Sequence, residues 1–534
     1  MNLFFLLASI IFFIWTIRNI LFWVSLWQIK EYRLDRILAH LKETGQGRKL
    51  FFSPLSLIKW IPFLLYIIVV FNNRLLLVSQ LFITGIFIVQ SFFVFKEVYF
   101  RLYKRPVLTP KAIIVIFLTL SVVILLYWVP LFEAFLWLVF LDRIVPFLAA
   151  FFVFVFYFPT KLYRDWEIEK AAKKMNLHKK MTVIGVTGSY GKSSTKEYIS
   201  QILQRKFRVL KTKGTNNTPI GIANTILSGL KNHIEIFVVE MGAYKKGEIK
   251  EMCQMVNPKI GIITAVNEQH LSLFGNVQNT MKAKYELIES LPKTGLSLFN
   301  GNNENTVKLY EKTKNKKVLY ECLDKIEEKG NDSHIFAYNI KTEKDSINFD
   351  VSFKDKMFHM ESPLIGAHNI ENILPGIYIA DYLGMSLDEI KKSVASLTSL
   401  PKTMILLNSA KGATLIDDTF NSNPQAVLAA LEYMKIYIGK KILVLQPMIE
   451  LGKSGKDEHF RIGKEISKVC NYLFVTNKNF YKFLMDGIKE GNGKCVIESG
   501  SSSQIAEFIN KRASKQDVVV FEGKEAAFTF NKVL

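Results

Sequence analysis

The chain has 534 residues, a formal net charge of +22, 49% hydrophobic residues and a mean hydropathy of +0.18. A single core rarely grows past about 250–300 residues, so several domains are expected. The apolar excess sits in the first 160 residues, which excludes an ordinary soluble protein. No zinc-ligand spacing or aromatic–basic ladder accompanies the positive charge, so no nucleic-acid partner is expected; the charge points to anionic lipid or phosphorylated substrates. Four scattered cysteines, Cys253, Cys322, Cys470 and Cys495, form no C-x-x-C pair, which fits a reducing compartment and no structural metal.

Residues 1–160 read as a membrane domain. Apolar runs cover Leu3–Leu26, Leu55–Phe71, Leu75–Phe95, Ala112–Leu131 and Phe135–Phe158, each near the ~20 residues a spanning helix needs. A cleaved signal peptide is an alternative for the first run, but its start carries no positive charge and no small-residue cleavage site follows. Lys30, Arg33, Arg36, Lys42, Arg48 and Lys49 lie between runs one and two, and Arg101, Lys104, Arg105 and Lys111 between runs three and four. Basic loops face the cytoplasm, so the expectation is a multi-pass protein of the cell membrane, N-terminus outside, everything after Tyr157 inside. Residues 28–48 read as a basic amphipathic helix on the inner leaflet. Asp142 and Arg143 fall inside the fifth run, where ionisable groups are costly and often functional; a place near the outer interface, where they are merely solvated, is the alternative.

Residues 161–180 read as a charged helical connector. From Met181 apolar strands alternate with helices: Thr182–Val186, Phe207–Lys211, Ile236–Glu240 and Ile260–Thr264. This is α/β architecture with a mainly parallel sheet, whose ligands bind at the carboxyl ends of the strands. The first strand runs into Gly185-Val-Thr-Gly-Ser-Tyr-Gly-Lys-Ser-Ser-Thr195 and then a helical pattern, Lys196–Leu203. A strand, a glycine-rich turn and a helix N-terminus make an anion site, because free backbone N–H groups and the helix dipole converge. Lys192 is placed to neutralise β/γ-phosphate charge and Ser193 to ligate Mg²⁺, although Val186 stands where a first glycine is usual. Glu240 ends an apolar strand, where a carboxylate can hold Mg²⁺. His270 follows the fourth strand and is a candidate ligand for a second ion. Residues 305–360, polar and rich in lysine, look like a variable peripheral excursion. A second α/β unit begins at Thr403, with strands Thr414–Ile416, Ile442–Leu445, Tyr472–Val475 and Val518–Phe521.

Several stretches, in order and spacing, resemble the Mur ligase family. They are Thr187-Gly-Ser-Tyr-Gly-Lys-Ser-Ser194, Thr215-Asn-Asn-Thr-Pro-Ile-Gly221, Val239-Glu-Met-Gly242, Asn267-Glu-Gln-His270, Ala283-Lys-Tyr-Glu286, Gly366-Ala-His-Asn-Ile-Glu-Asn372, Ile416-Asp-Asp-Thr-Phe-Asn-Ser-Asn-Pro424, and Met448-Ile-Glu-Leu-Gly452 with His459. The branch that adds D-alanyl-D-alanine to a muramyl tripeptide is the most similar. The resemblance implies a P-loop central domain at 181–400 and a Rossmann-like C-terminal domain at 401–534. It also implies an ATP-dependent amide ligase of cell-wall (peptidoglycan) precursor type: ATP phosphorylates a carboxylate, and the amine of an amino acid or dipeptide attacks the acyl phosphate.

By the same resemblance Gly188, Ser189, Gly191, Lys192, Ser193 and Ser194 cradle ATP, and Ser193 and Glu240 serve one Mg²⁺. His270 and a carbamylated Lys284 serve a second ion. Asn369 and Asn372 lie near the adenine, Asp418 near the ribose or phosphates, and Asn216 and Asn217 near substrate. Four departures stand out. The family's uridine-nucleotide domain has no counterpart and membrane spans take its place. Thr403 stands for a usual arginine, and Gln446-Pro447 and Glu522-Gly523-Lys524 replace usual Gly-Asp and Lys-Gly-Ser. The first, beside a preserved ATP site, implies a carboxylate substrate that is lipid-linked; the last two bear on the amine substrate. A polyglutamate-type membrane ligase and a non-catalytic nucleotide-binding scaffold or sensor are the alternatives.

Overall fold

The computed structural model describes residues 3–43, 57–64, 73–100, 105–214, 216–267, 276–324, 332–448, 451 and 454–534. The chain forms two compact units, Met1–Asp165 and Trp166–Leu534.

The first unit is helical: α1 (Leu3–Ile29), α2 (Leu34–Glu43), the short α3 (Trp60–Leu64), α4 (Asn73–Tyr99), α5 (Pro110–Tyr127) and α6 (Ala134–Val155). Continuous apolar runs make these helices, and local chemistry starts them. Thr109 caps α5 ahead of Pro110, and the Glu133 carboxylate accepts the Leu136 N–H at 2.9 Å to begin α6. Among the described residues α1, α4, α5 and α6 are long and apolar enough to cross a membrane. The expected run Leu55–Phe71 lies largely outside the described residues. Cross-helix contacts order the bundle. Ser91 bonds the Ile11 carbonyl and Arg18 pairs with Glu97, so α1 and α4 run the same way. Gln80 meets Glu133 near the start of α6, whereas Tyr127, at the end of α5, meets Ser9; α5 is therefore the reversed helix. The expected amphipathic helix is shorter than 28–48: Glu31 and Tyr32, at φ 56 and 55, break the chain before Leu34.

A further helix, α7 (Tyr157–Asn176), leads into the second unit, where Ala171 and Met175 pack under the first sheet. That sheet joins β1 (Thr182–Thr187), β2 (Val209–Lys211), β3 (Ile236–Glu240), β4 (Ile260–Ile263), β5 (Leu296–Asn300), β6 (Lys316–Cys322), β7 (His334–Thr342), β8 (Ile347–Phe353) and β9 (Lys356–Ser362) in the order 2-3-1-4-5-6-7-8-9. All pairs are parallel up to β7; β8 and β9 follow antiparallel. This corrects the expectation of a peripheral excursion at 305–360. Alternating side chains such as Ile347, Phe349 and Val351 are fully buried in the main core, so the segment extends the central sheet. Polar residues between them hid a period-two pattern.

The second sheet is β10 (Ile405–Asn408), β11 (Thr414–Asp418), β12 (Lys441–Leu445), β13 (Tyr472–Val475), β14 (Val496–Ser499) and β15 (Val518–Glu522), ordered 10-11-15-12-13-14. It is parallel apart from β10. Four helices of this unit carry the site: α8 (Lys192–Leu203), α9 (Val277–Glu289), α10 (His368–Tyr382) and α11 (Pro424–Met434).

Candidate active site

A cavity of about 360 Å³ lies between the carboxyl ends of the two sheets, where open parallel sheets place their ligands. One wall is the loop Ser189–Ser194 with Thr264, Glu371 and Asn372; the other is Thr403, Asp418 and the segment around Asn423.

The loop is held by close packing. A Cβ on Gly191, at φ +78, would come 2.8 Å from Asn372 Oδ1, and one on Gly188 would collide with Thr264 Oγ1. Asn372 also receives the Thr195 hydroxyl at 3.0 Å, and Thr264 bonds the Tyr190 carbonyl. The Ser189 N–H bonds Ala265 O at 2.7 Å, and its hydroxyl accepts the Asn267 N–H. Lys192 Nζ donates back to the Gly188 and Ser189 carbonyls at 2.7 and 3.0 Å, so its ammonium sits at the loop mouth. Burial pulls this ammonium below its ordinary range, with Glu240 opposing the shift.

Glu240, 1% exposed, ends β3 beside the loop. Its carboxylate accepts Ser193 Oγ at 3.0 Å, Lys196 Nζ at 3.2 Å and Asn217 Nδ2 at 3.0 Å. Lys196, one helical turn after Lys192, is 1% exposed and also bonds the Gly214 carbonyl. Neither it nor the role of Asn217 in orienting Glu240 is among the sequence expectations. The i,i+4 spacing from Lys192 on α8 was the available signal. Asn216 is exposed.

Lys284 on α9 is 4% exposed, and among the described residues it has no acidic partner within ion-pair reach. Burial first, and the positive charge of Lys192 second, push its ammonium well below the ordinary range. Burial of this kind shifts the balance from the ammonium toward the neutral, nucleophilic amine. His270 lies outside the described residues. Among those described, no cluster of three His, Cys, Asp or Glu side chains forms. Mg²⁺ takes oxygen ligands and keeps waters. Ser193 Oγ and a Glu240 oxygen, 3.0 Å apart at the loop, are a donor set that fits it.

Asn369 is not turned to the cavity. Its amide donates to Ile365 O at 2.9 Å and its oxygen accepts the Tyr198 hydroxyl at 3.1 Å, so it ties α10 to α8. Asp418 does line the cavity. Its register partner across β11 and β15 is Glu522, fully buried. Burial raises the proton affinity of both; the charge and hydrogen bond of Asp418 raise that of Glu522 further, whereas the hydrogen bond with Glu522 lowers that of Asp418, so protonation is favoured at Glu522. His368, also lining the cavity, has its imidazole pushed down to about 4 by burial and is neutral at pH 7.

Two family models match the second unit: the Mur ligase middle domain over residues 186–380 and the Mur ligase glutamate ligase domain over 404–525, together more than half of the chain. The chain belongs to the Mur ligase family. Its homologues are ATP-dependent, ADP-forming ligases. It is 28% identical over 343 residues to a UDP-N-acetylmuramoyl-tripeptide–D-alanyl-D-alanine ligase of Bacillus subtilis, covering 64% of this chain and 72% of that one. It is 30% identical to the ligase of the same name from Buchnera aphidicola, covering 56% and 63%. The crystal structure of MurF ligase from Thermotoga maritima in complex with ADP superposes with a TM-score of 0.60 at 26% identity, over 69% of this chain and 82% of that one. Each alignment leaves part of the relative unmatched.

Proposed function

We propose that the second unit is an ATP-dependent ligase joining a carboxylate to an amine on a peptidoglycan precursor, and that the first unit holds it in the cell membrane with the catalytic unit on the cytoplasmic side. The observation that carries this is the glycine-rich loop whose Lys192 faces a cavity walled by both Mur ligase domains. A substrate carboxylate oxygen attacks the γ-phosphorus of ATP, ADP leaves, and an acyl phosphate forms. The amine nitrogen then attacks the carbonyl carbon, the tetrahedral intermediate expels phosphate, and the nitrogen loses a proton as the amide is made. Lys192 and the loop N–H groups neutralise charge on the transferring phosphoryl group, and Lys196 with Asn217 fixes the Glu240 carboxylate. Mg²⁺, held by Ser193 and Glu240, would supply further neutralisation of that charge. The neutral amine of Lys284 can add CO₂ through its nitrogen and release a proton, which leaves the carboxylate of a carbamate in place of the amine. The apolar first unit, which stands ahead of the Mur ligase middle domain in this chain, supports a lipid-linked carboxylate substrate.

The test is ADP release by the full chain in detergent. D-alanyl-D-alanine, glutamate and other amino acids are supplied in turn with UDP-linked or lipid-linked peptide, with Lys192→Ala as the blank. Release that needs both an amine and a lipid-linked carboxylate is expected. Turnover of UDP-linked peptides alone would overturn the lipid assignment, and release indifferent to both substrates would overturn the ligase.

A further inference from the structure

The Asp142–Arg143 pair is not at a solvated rim. Asp142 is 1% exposed, about 12 Å along α6 from its start. Its oxygen Oδ1 accepts Trp15 Nε1 at 2.7 Å and Asn19 Nδ2 at 3.5 Å. Oδ2 accepts Lys59 Nζ at 2.7 Å and Arg143 Nε and Nη2 at 3.0 and 2.6 Å. Lys59 is itself 1% exposed and lies over the Phe87 ring at 4.5 Å. One carboxylate therefore faces two cations, and its lone-pair sites are filled.

Apart from Glu31, which pairs with Arg36, and Asp35 and Glu43, which follow the end of α1 in sequence, acids are sparse in the first unit. There is none from 44 to 96, and between Glu97 and Asp165 the acids are Glu133 and Asp142. Glu97 is taken by a two-point pair with Arg18, and Glu133 by Gln80 and the α6 cap. The cluster is left with an excess positive charge. It also keeps spare donors, since an ammonium has three N–H groups and a guanidinium five. Thr16 Oγ1, next to Trp15 on α1, is buried with no hydrogen-bond partner among the described residues. An excess cation in an apolar bundle is expensive unless an anion joins it.

We propose that Lys59, Arg143 and Asn19, gathered on Asp142, form a binding site for a phosphate group, the acceptor-rich anion that matches spare ammonium and guanidinium donors. The proposal rests on the reading of the first unit as membrane-embedded and is independent of the ligase chemistry. A phospholipid headgroup and free phosphate share this chemistry, and the experiment separates them.

The full chain is placed in phosphatidylcholine nanodiscs with and without phosphatidic acid, and retained lipid is measured by native mass spectrometry. Parallel samples receive inorganic phosphate alone. Phosphatidic acid is expected to be retained over phosphatidylcholine, at least about tenfold less so in Lys59→Gln and Arg143→Gln. Asp142→Asn, which removes the competing anion, is expected to retain at least as much as the natural chain. A merely structural cluster would lose retention in all three variants alike, which would overturn the site. Displacement by inorganic phosphate identifies the free ion as the source, and its failure identifies the headgroup; both require the dependence on Lys59. Equal retention by Lys59→Gln and the natural chain refutes the proposal. If Lys59→Gln does not fold, as judged by thermal melting, Arg143→Gln, whose side chain is 20% exposed, decides. ADP release with an amine and lipid-linked peptide is expected to be unchanged in these variants, so a failed ligase and a failed lipid site give different results.

Discussion

Glu240 in the second unit and Asp142 in the first are both buried carboxylates gripped by a buried lysine, at 3.2 and 2.7 Å. Both sit among more positive charge than they neutralise: Lys192 lies beyond Lys196 at one centre, and Arg143 joins Lys59 at the other. The difference is in the backbone. At Glu240 a strand end, a crowded glycine loop and the start of α8 aim N–H groups at one point, which fixes where a phosphate sits and how it is turned. At Asp142 only side chains converge. Such a centre sets the sign of its guest and leaves the geometry loose. Nucleotide chemistry needs the first kind; anchoring of a headgroup is served by the second.

Four substitutions sharpen this contrast. Lys192→Ala should have the largest effect, lowering kcat/KM for ADP formation by about 10²-fold or more while the melting temperature barely moves; unchanged kinetics would mean the loop does not carry phosphate. Lys284→Ala comes next. Activity should fall steeply, and the stimulation by bicarbonate expected of the natural enzyme should vanish. A variant that still responded to bicarbonate would remove the carbamate from consideration. Lys196→Met strands Glu240 in the interior and should cost roughly 3–5 kcal/mol, as breaking one side of a buried pair does. Adding Glu240→Gln should return part of that stability, and denaturant unfolding of the single and double variants measures it.

The smallest effect concerns Asp418 and Glu522. Their proton affinities are raised on folding by burial, and that of Glu522 further by the charge of Asp418. The folded state therefore holds protons that the unfolded chain has released, and this contribution, full at acid pH, is lost as pH rises through the raised values. Glu522→Gln should raise the melting temperature by about 2 °C at pH 7.5 and by less at pH 5. A uniform rise at both pH values would show that the pair does not share a proton.

Much of this was legible in the sequence because it is local. The turn at Gly188–Ser194 and the acid at the end of β3 are written in consecutive residues, and the apolar runs announce the helices by length alone. What escaped depends on contacts far apart in the chain. Asp418 and Glu522 become neighbours only through the register of β11 on β15. Asn369 resembles a nucleotide contact until α10 packs on α8 and the Tyr198 hydroxyl takes its oxygen. Asp142 could not be told from a solvated pair until Lys59, 83 positions away, was placed beside it.

The cavity draws one wall from each Mur ligase domain, and this makes any guest a thermodynamic link between them. A nucleotide touching both walls stabilises the closed pair, by about 2.7 kcal/mol at a hundredfold excess over its Kd. By reciprocity, whatever draws the C-terminal wall inward must tighten the nucleotide by the same factor. The second substrate then need never touch ATP to change how firmly it is held.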